Sequence, residues 1–278
     1  EAQRSNVALS PLARAREMGR AMAARFLAGL TPWGGAKLNE YVNRLGKNLA
    51  RASGSEDVFT FLVVYSPQIN SQAFPGGYVL VNSGVVSLVE GEAELAWVLA
   101  HEIAHVNARH WQRHARRREV LDLMMTVPLL VGIGPVAMGI AFGGRLVRPV
   151  AEARFSRAFE LEADRLAVTY LARAGYDPEA TVILLERLRA ATSREEIPEG
   201  GLLSTHPSLD HRRRSLAKTL DGLARPARAL GSTSEFDARR EEVRAYDQVY
   251  ATALDEPLPG EEPRPPKLRR RPAGAANH

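Results

Sequence analysis

His101-Glu102-Ile103-Ala104-His105 decides how the chain is read. Its two His stand four positions apart, which on an α-helix leaves them about 40° apart in projection, one turn above the other. Their imidazoles can share a single ion, while Glu102 points about 100° aside, toward a water that such an ion would activate. Two neutral nitrogen ligands beside a carboxylate that takes a proton are what a zinc hydrolase needs. The alternative, two surface His flanking a helical Glu, is weighed by the surroundings. The pattern around the motif is helical from Glu92 to about Arg118, with Leu95, Val98 and Leu99 apolar and a basic end.

Zinc in such a site needs a third protein ligand. Glu160-Leu161-Glu162-Ala163-Asp164 offers one on a second long helix, expected from about Val150 to Ala174. Glu160 and Asp164 again lie one turn apart. One can bind metal while the other accepts a hydrogen bond from a ligand His. Alone, this cluster would read as a solvated acidic face; beside the His pair it reads as ligand and support.

The composition agrees with this chemistry. The 278 residues are 45% hydrophobic, 25% charged and 6% aromatic, which excludes a wholly disordered chain. The length gives one large domain or two modest ones. With no cysteine, disulfides, cysteinyl zinc sites, iron–sulfur clusters and thiol catalysis are all excluded, so a metal must use His, Asp and Glu. A net charge of +5 permits attraction to an anionic membrane or to nucleic acid and demands neither. The arginine triplets at 116–118, 212–214 and 269–271 are scattered and lack interleaved aromatics, so nucleic-acid binding is not expected.

The remaining elements follow from caps and periods. Ser10 and Pro11 open a helix reaching Leu30. Ala36 to Ala52 is a second helix, with Leu38, Val42, Leu45 and Leu49 on one face. Val58 to Val64 reads as a strand, Phe74-Pro75-Gly76-Gly77 as a turn and Tyr78 to Asn82 as a short strand. Asn82-Ser83-Gly84 then leads into helix. Gly175 caps the Glu160 helix, Asp177-Pro178 opens another through about Ala191, and a further helix begins near Pro207. The predicted fold is mainly α (α+β), a helical core with a small sheet beside the His101–His105 helix. Residues 1–255 form one domain around that site, with a core at 58–175 and a helical part at 176–255. Residues 256–278 are a disordered tail rich in Pro and Arg.

Leu123 to Phe142 is a run of 20 uncharged residues, long enough to cross a bilayer. Yet His105 lies 18 residues before it and Glu160 lies 18 after it, and both must reach one zinc. A single span would separate them across the membrane. The run, with Pro128, Gly132, Gly134, Pro135 and Gly139, therefore reads as the bent tip of a helical hairpin. That tip is either buried or dips into a lipid surface, its flanking arginines at anionic headgroups; membrane or partner contact is the expectation.

These residues resemble a known family. His-Glu-x-x-His followed by Glu-x-x-x-Asp is similar to the gluzincin group of HtpX and the CAAX prenyl proteases. Phe74 to Gly84, with Glu92-Ala93-Glu94-Leu95-Ala96 and His101, most resembles its BepA-like and LoiP-like bacterial periplasmic branch. The resemblance implies Glu160 as third ligand to one Zn2+ per chain, with Asp164 supporting the site. It implies an endopeptidase acting on misfolded or outer-membrane proteins in the periplasm or envelope, peripheral or lipid-anchored. In Thr205-His206-Pro207 it implies His206 as a regulatory ligand near the zinc, and Arg212 as a group polarising the reacting carbonyl. The spacing there also fits an ordinary loop-to-helix junction.

Glu102 is then the general base, taking a proton from water and returning it to the leaving amine. An extended substrate adds to an exposed sheet edge at Tyr78 and Val79, with Gly76 and Gly77 allowing close backbone approach; those glycines serve equally as a hairpin turn. The competing reading is a chaperone-like or assembly-factor protein whose zinc site is latent. Intact Glu102 argues against a degenerate site, though not against latency through His206. No helical-repeat signature follows residue 220, so a repeat domain that recruits partners is not expected. The start, Glu1-Ala2-Gln3-Arg4-Ser5, has neither initiator Met nor an apolar run, so a mature or trimmed product is expected.

Overall fold

A computed structural model of the chain describes residues 10–117, 119, 157–193 and 209–255. The apolar run 123–142, the Thr205-His206-Pro207 stretch and the tail from Glu256 lie outside the described residues.

Ser10 caps helix α1 (Pro11–Leu27), its hydroxyl accepting from the Ala13 amide at 3.2 Å. The stretch after it is not only a loop: Thr31–Pro32 forms a two-residue strand, β1. Helix α2 (Ala36–Ser53) buries the predicted face of Leu38, Val42, Leu45 and Leu49, together with Tyr41. It ends on Gly54, whose φ of 72° is the left-handed conformation that suits glycine.

Strands β2 (Thr60–Tyr65), β3 (Ser71–Phe74) and β4 (Tyr78–Asn82) complete a mixed sheet of order β1-β2-β4-β3. β2 and β4 run parallel, Thr60 opposite Tyr78, and β3 and β4 form an antiparallel hairpin, Ser71 opposite Val81. Because β1 is so short, α2 satisfies the rest of the β2 edge. Asn39 Oδ1 accepts from the Val63 amide at 2.9 Å and Asn43 Oδ1 from the Phe61 amide at 3.2 Å. Helix α1 lies over the opposite face, on Phe74 and Leu80.

The sheet corrects one expectation. β4 is hydrogen-bonded on both sides, so Tyr78 and Val79 present no free edge. Gly76 (φ 73°) and Gly77 (φ 92°) make the hairpin turn. A Cβ on Gly76 would lie 2.3 Å from the Arg16 backbone, and one on Gly77 would lie 2.7 Å from the Val58 carbonyl oxygen. The chain's own packing thus accounts for both glycines.

A short helix, α3 (Ser83–Leu88), leads to α4 (Glu92–Asn107), which carries the His101 motif. Every residue of α4 except His105 and Asn107 is buried. A helix enclosed on all sides sits in the core, and α4 packs between α2, β3 and the helix at Ala180–Ser193. The predicted single helix from Glu92 to Arg118 is broken: after a turn at Ala108 and Arg109 the chain resumes as α5, residues 110–117. Arg109 takes a φ of 53°, unusual for a side chain with a Cβ. Asp57 fixes it, accepting from Arg109 Nη1 at 2.5 Å.

Helix α6, residues 157–173, carries Glu160 and Asp164 and stops at Gly175 (φ 85°). Asp177 accepts from the Glu179 amide at 3.0 Å ahead of α7 (Ala180–Ser193). α8 (Leu209–Asp221) and α9 (Ser234–Asp255) follow. α9 returns to the main core through Phe236 and Val243, and its Arg244 donates to the Ser87 carbonyl of α3 at 2.9 Å. Among the described residues, no helix is long and apolar enough to cross a membrane.

Candidate metal centre

Helices α4 and α6 bring His101, His105 and Glu160 together, with one ligand atom of each within 4.8 Å of the others. The two Nε2 atoms are 3.0 Å apart; Glu160 Oε2 lies 3.3 Å from His101 Nε2 and Oε1 lies 3.4 Å from His105 Nε2. Donors about 2.0–2.1 Å from one ion at tetrahedral angles are themselves about 3.3–3.4 Å apart. The spacing, the two-nitrogen, one-carboxylate donor set and the burial all fit zinc.

Supporting groups hold the two imidazoles. His101 turns Nδ1 to Asp164 Oδ1 at 3.0 Å, the carboxylate–histidine arrangement that fixes a ligand ring. Asp164 in turn accepts from Arg212, Nε to Oδ2 at 2.8 Å and Nη2 to Oδ1 at 2.7 Å. Burial opposes the Asp164 charge, but Arg212 and His101 outweigh it and hold the carboxyl below its usual range. Burial likewise pushes the His101 ring down, and the hydrogen bonds to Asp164 and Glu160 outweigh that, holding it up at about 9. His105 Nδ1 lies 2.9 Å from His110 Nδ1. Burial keeps His110 below the usual imidazole range despite Glu162, whose Oε2 is 3.3 Å from its Nε2.

Glu102 stands beside this group, 1% exposed, its Oε1 accepting from the Ser71 hydroxyl at 2.7 Å. A cleft of about 350 Å³ opens over Glu102, His105 and Glu160. Its walls include Gln72, Ala73 and Phe74 of β3 on one side and His110, Trp111 and Phe159 on the other. Among the described residues no strand pairs with the outer edge of β3. Among the described residues β3 is therefore the unpaired sheet edge beside the site.

His101, Glu102, His105, Glu160 and Asp164 thus converge from the two helices on which the sequence placed them. Arg212 is near, but not as expected. It is 2% exposed, faces Asp164, lies 3.4 Å from Glu160 Oε2 and stacks over Trp97 at 5.6 Å, so its guanidinium is turned into the core. That orientation corrects the role of polarising a carbonyl in the cleft. Gly76, Gly77, Tyr78 and Val79 stand away from the cleft walls. Ser71 and His110 were not anticipated. No spacing rule links Ser71 to Glu102, and His110 lies five residues past His105, off its face of a continuous helix.

The family model described as Peptidase family M48 matches residues 36–220. The chain is 37% identical over 177 residues to a putative beta-barrel assembly-enhancing protease of Vibrio cholerae, covering 61% of this chain and 36% of that protein. It is 32% identical over 235 residues to the beta-barrel assembly-enhancing protease of Escherichia coli K12, covering 79% and 47% respectively. It is also 32% identical over 182 residues to the mitochondrial metalloendopeptidase OMA1 of Schizosaccharomyces pombe, covering 65% and 52%. The matched region spans between a third and about half of these relatives' length.

Proposed function

The chain belongs to peptidase family M48, and from that premise we propose that it is a zinc-dependent metalloendopeptidase. His101, His105 and Glu160 would hold one zinc per chain. The chemistry such a zinc would supply is polarisation of the scissile carbonyl and a more acidic water. Glu102 accepts the proton of the attacking water and returns it to the leaving amine nitrogen. The Ser71 hydroxyl keeps the Glu102 carboxylate oriented for that transfer. Asp164, itself clamped by Arg212, fixes the His101 ring.

The substrate is a polypeptide bound in extended form along the free edge of β3, the edge strand that lines the cleft. Misfolded or outer-membrane proteins are the substrate class, and the bacterial periplasm or envelope is the compartment; the relatives named for beta-barrel assembly support the substrate class. The peptidase unit is residues 1–255. Segment 123–142 makes peripheral membrane contact, and His206 supplies a resting-state ligand that leaves for substrate.

The observation that carries the proposal is a buried carboxylate, Glu102, beside three donors spaced for one tetrahedral ion. Degradation of casein by wild-type protein and by Glu102→Gln tests it. Cleavage by wild type alone is expected. Cleavage by both removes Glu102 from the reaction. Cleavage by neither, with His206→Ala also inactive, favours an assembly factor in which the metal site is structural.

A further inference from the structure

We propose that His110 is a positioning residue of the metal centre, accepting the Nδ1 proton of His105 and so fixing the tautomer and ring orientation of that ligand. The inference rests on the metal site proposed above. His101 has a carboxylate, Asp164, on its Nδ1; the corresponding atom of His105 has an imidazole at 2.9 Å.

Only one arrangement of protons satisfies the contacts. A neutral His that presents Nε2 to a metal carries its proton on Nδ1. His110 Nδ1 can receive that proton only when its own sits on Nε2. His110 Nε2 faces an acceptor, Glu162 Oε2 at 3.3 Å, and Glu162 is held by Arg113 Nη1 at 2.8 Å. The polarity is thus set from His105 to His110, with the Glu162 carboxylate on the Nε2 side. The His110 ring is 4% exposed and stacked on Phe159 at a centroid distance of 4.5 Å, so it has little freedom to turn.

The backbone explains how His110 reaches this place. On a continuous helix, a residue five positions on lies about 140° round the axis from His105. The break at Ala108 and Arg109 returns it to the ligand, and it is held by the Arg109–Asp57 pair. Backbone strain at a non-glycine residue often marks a functional position.

The test uses the full-length protein, with zinc and cobalt(II) as probes. Zinc affinity is measured by chelator competition, and the cobalt(II) absorption spectrum reports the ligand field. His110→Leu keeps volume without an acceptor and should weaken zinc binding roughly 10- to 100-fold and alter the cobalt spectrum. His110→Asn, whose Oδ1 stands near the position of Nδ1, should recover much of both. In wild-type zinc protein, nitrogen NMR of labelled histidines should place the proton of His105 on Nδ1 and that of His110 on Nε2. This last measurement decides the matter even if a variant misfolds. Wild-type zinc affinity and cobalt spectrum in His110→Leu, or the opposite His110 tautomer, overturns the proposal. Failure of wild type itself to bind zinc would instead overturn the metal site.

Discussion

Arg212 and Asp164 are buried to 2% and 1% exposure, and Arg212 donates two hydrogen bonds to the Asp164 carboxylate, so each charge depends on the other. Removing one partner of such a pair costs about 3–5 kcal/mol, because the survivor is left charged in the core. Arg212→Met should lower the urea-denaturation stability by about that amount. Arg212→Lys should restore only part, since an ammonium cannot repeat the two-pronged contact. A loss below about 1 kcal/mol in Arg212→Met would mean that Asp164 is neutral or rehydrated. A second prediction concerns the proton on His101. Its pKa is held up at about 9 from an ordinary 6.5, so the metal-free ring is protonated at neutral pH and a metal must displace that proton. Apparent zinc affinity should therefore climb with pH until about pH 9 and then flatten, with proton release visible by calorimetry in buffers of different ionisation enthalpy. Uptake without proton release contradicts the assignment. At this scale helical spacing set His101, Glu102 and His105 and paired Glu160 with Asp164, while the choice of Glu160 as the ligand came from the family resemblance. The aim of Arg212 and the presence of Ser71 and His110 depend on neighbours distant in sequence or on a backbone break, and no local pattern encodes either.

Among the elements, α2 illustrates what could be read: its apolar face and its glycine stop are local signals. The break between α4 and α5 carries no such signal, for neither Ala108 nor Arg109 is a helix breaker. At the break the Arg109 side chain is held by Asp57 of a distant loop, a tertiary contact of the kind that can override propensity. β3 was invisible for a similar reason. Ser71-Gln72-Ala73-Phe74 has little β preference and is a strand because β4 pairs with it. The seat of α1 gives a further prediction. A Cβ on Gly19 would fall 1.7 Å from the Pro75 carbonyl oxygen, whereas nothing lies within 4 Å at Gly29. Gly19→Ala should force α1 off the sheet and destabilise by about 1–3 kcal/mol, while Gly29→Ala should be close to neutral. Equal melting temperatures for the two variants would refute this packing.

For the molecule as a whole, the centre of the fold and the centre of the site coincide. Helix α4 is enclosed on nearly every face and carries two of the three candidate ligands. Metal binding should then act on global stability, because the unfolded chain has no preformed site. A ligand at 1,000 times its Kd adds about 4 kcal/mol. Chelation should lower the melting temperature of wild type and Glu102→Gln alike, since Glu102 is not among the proposed ligands. A chelator-induced drop confined to wild type would contradict that division of roles. The helical class was legible from periodicity. The return of α9 to the same core through Phe236 and Val243 was not, because it depends on long-range packing.

The proposed centre is one ion held by three side chains, and zinc content after equilibration and dialysis measures it most directly. Wild type should retain about one zinc per chain, the occupancy of a single closed donor set, and Glu160→Gln should retain almost none. Zinc retained equally by Glu160→Gln, or absent from wild type, would contradict the claim that His101, His105 and Glu160 form the metal centre.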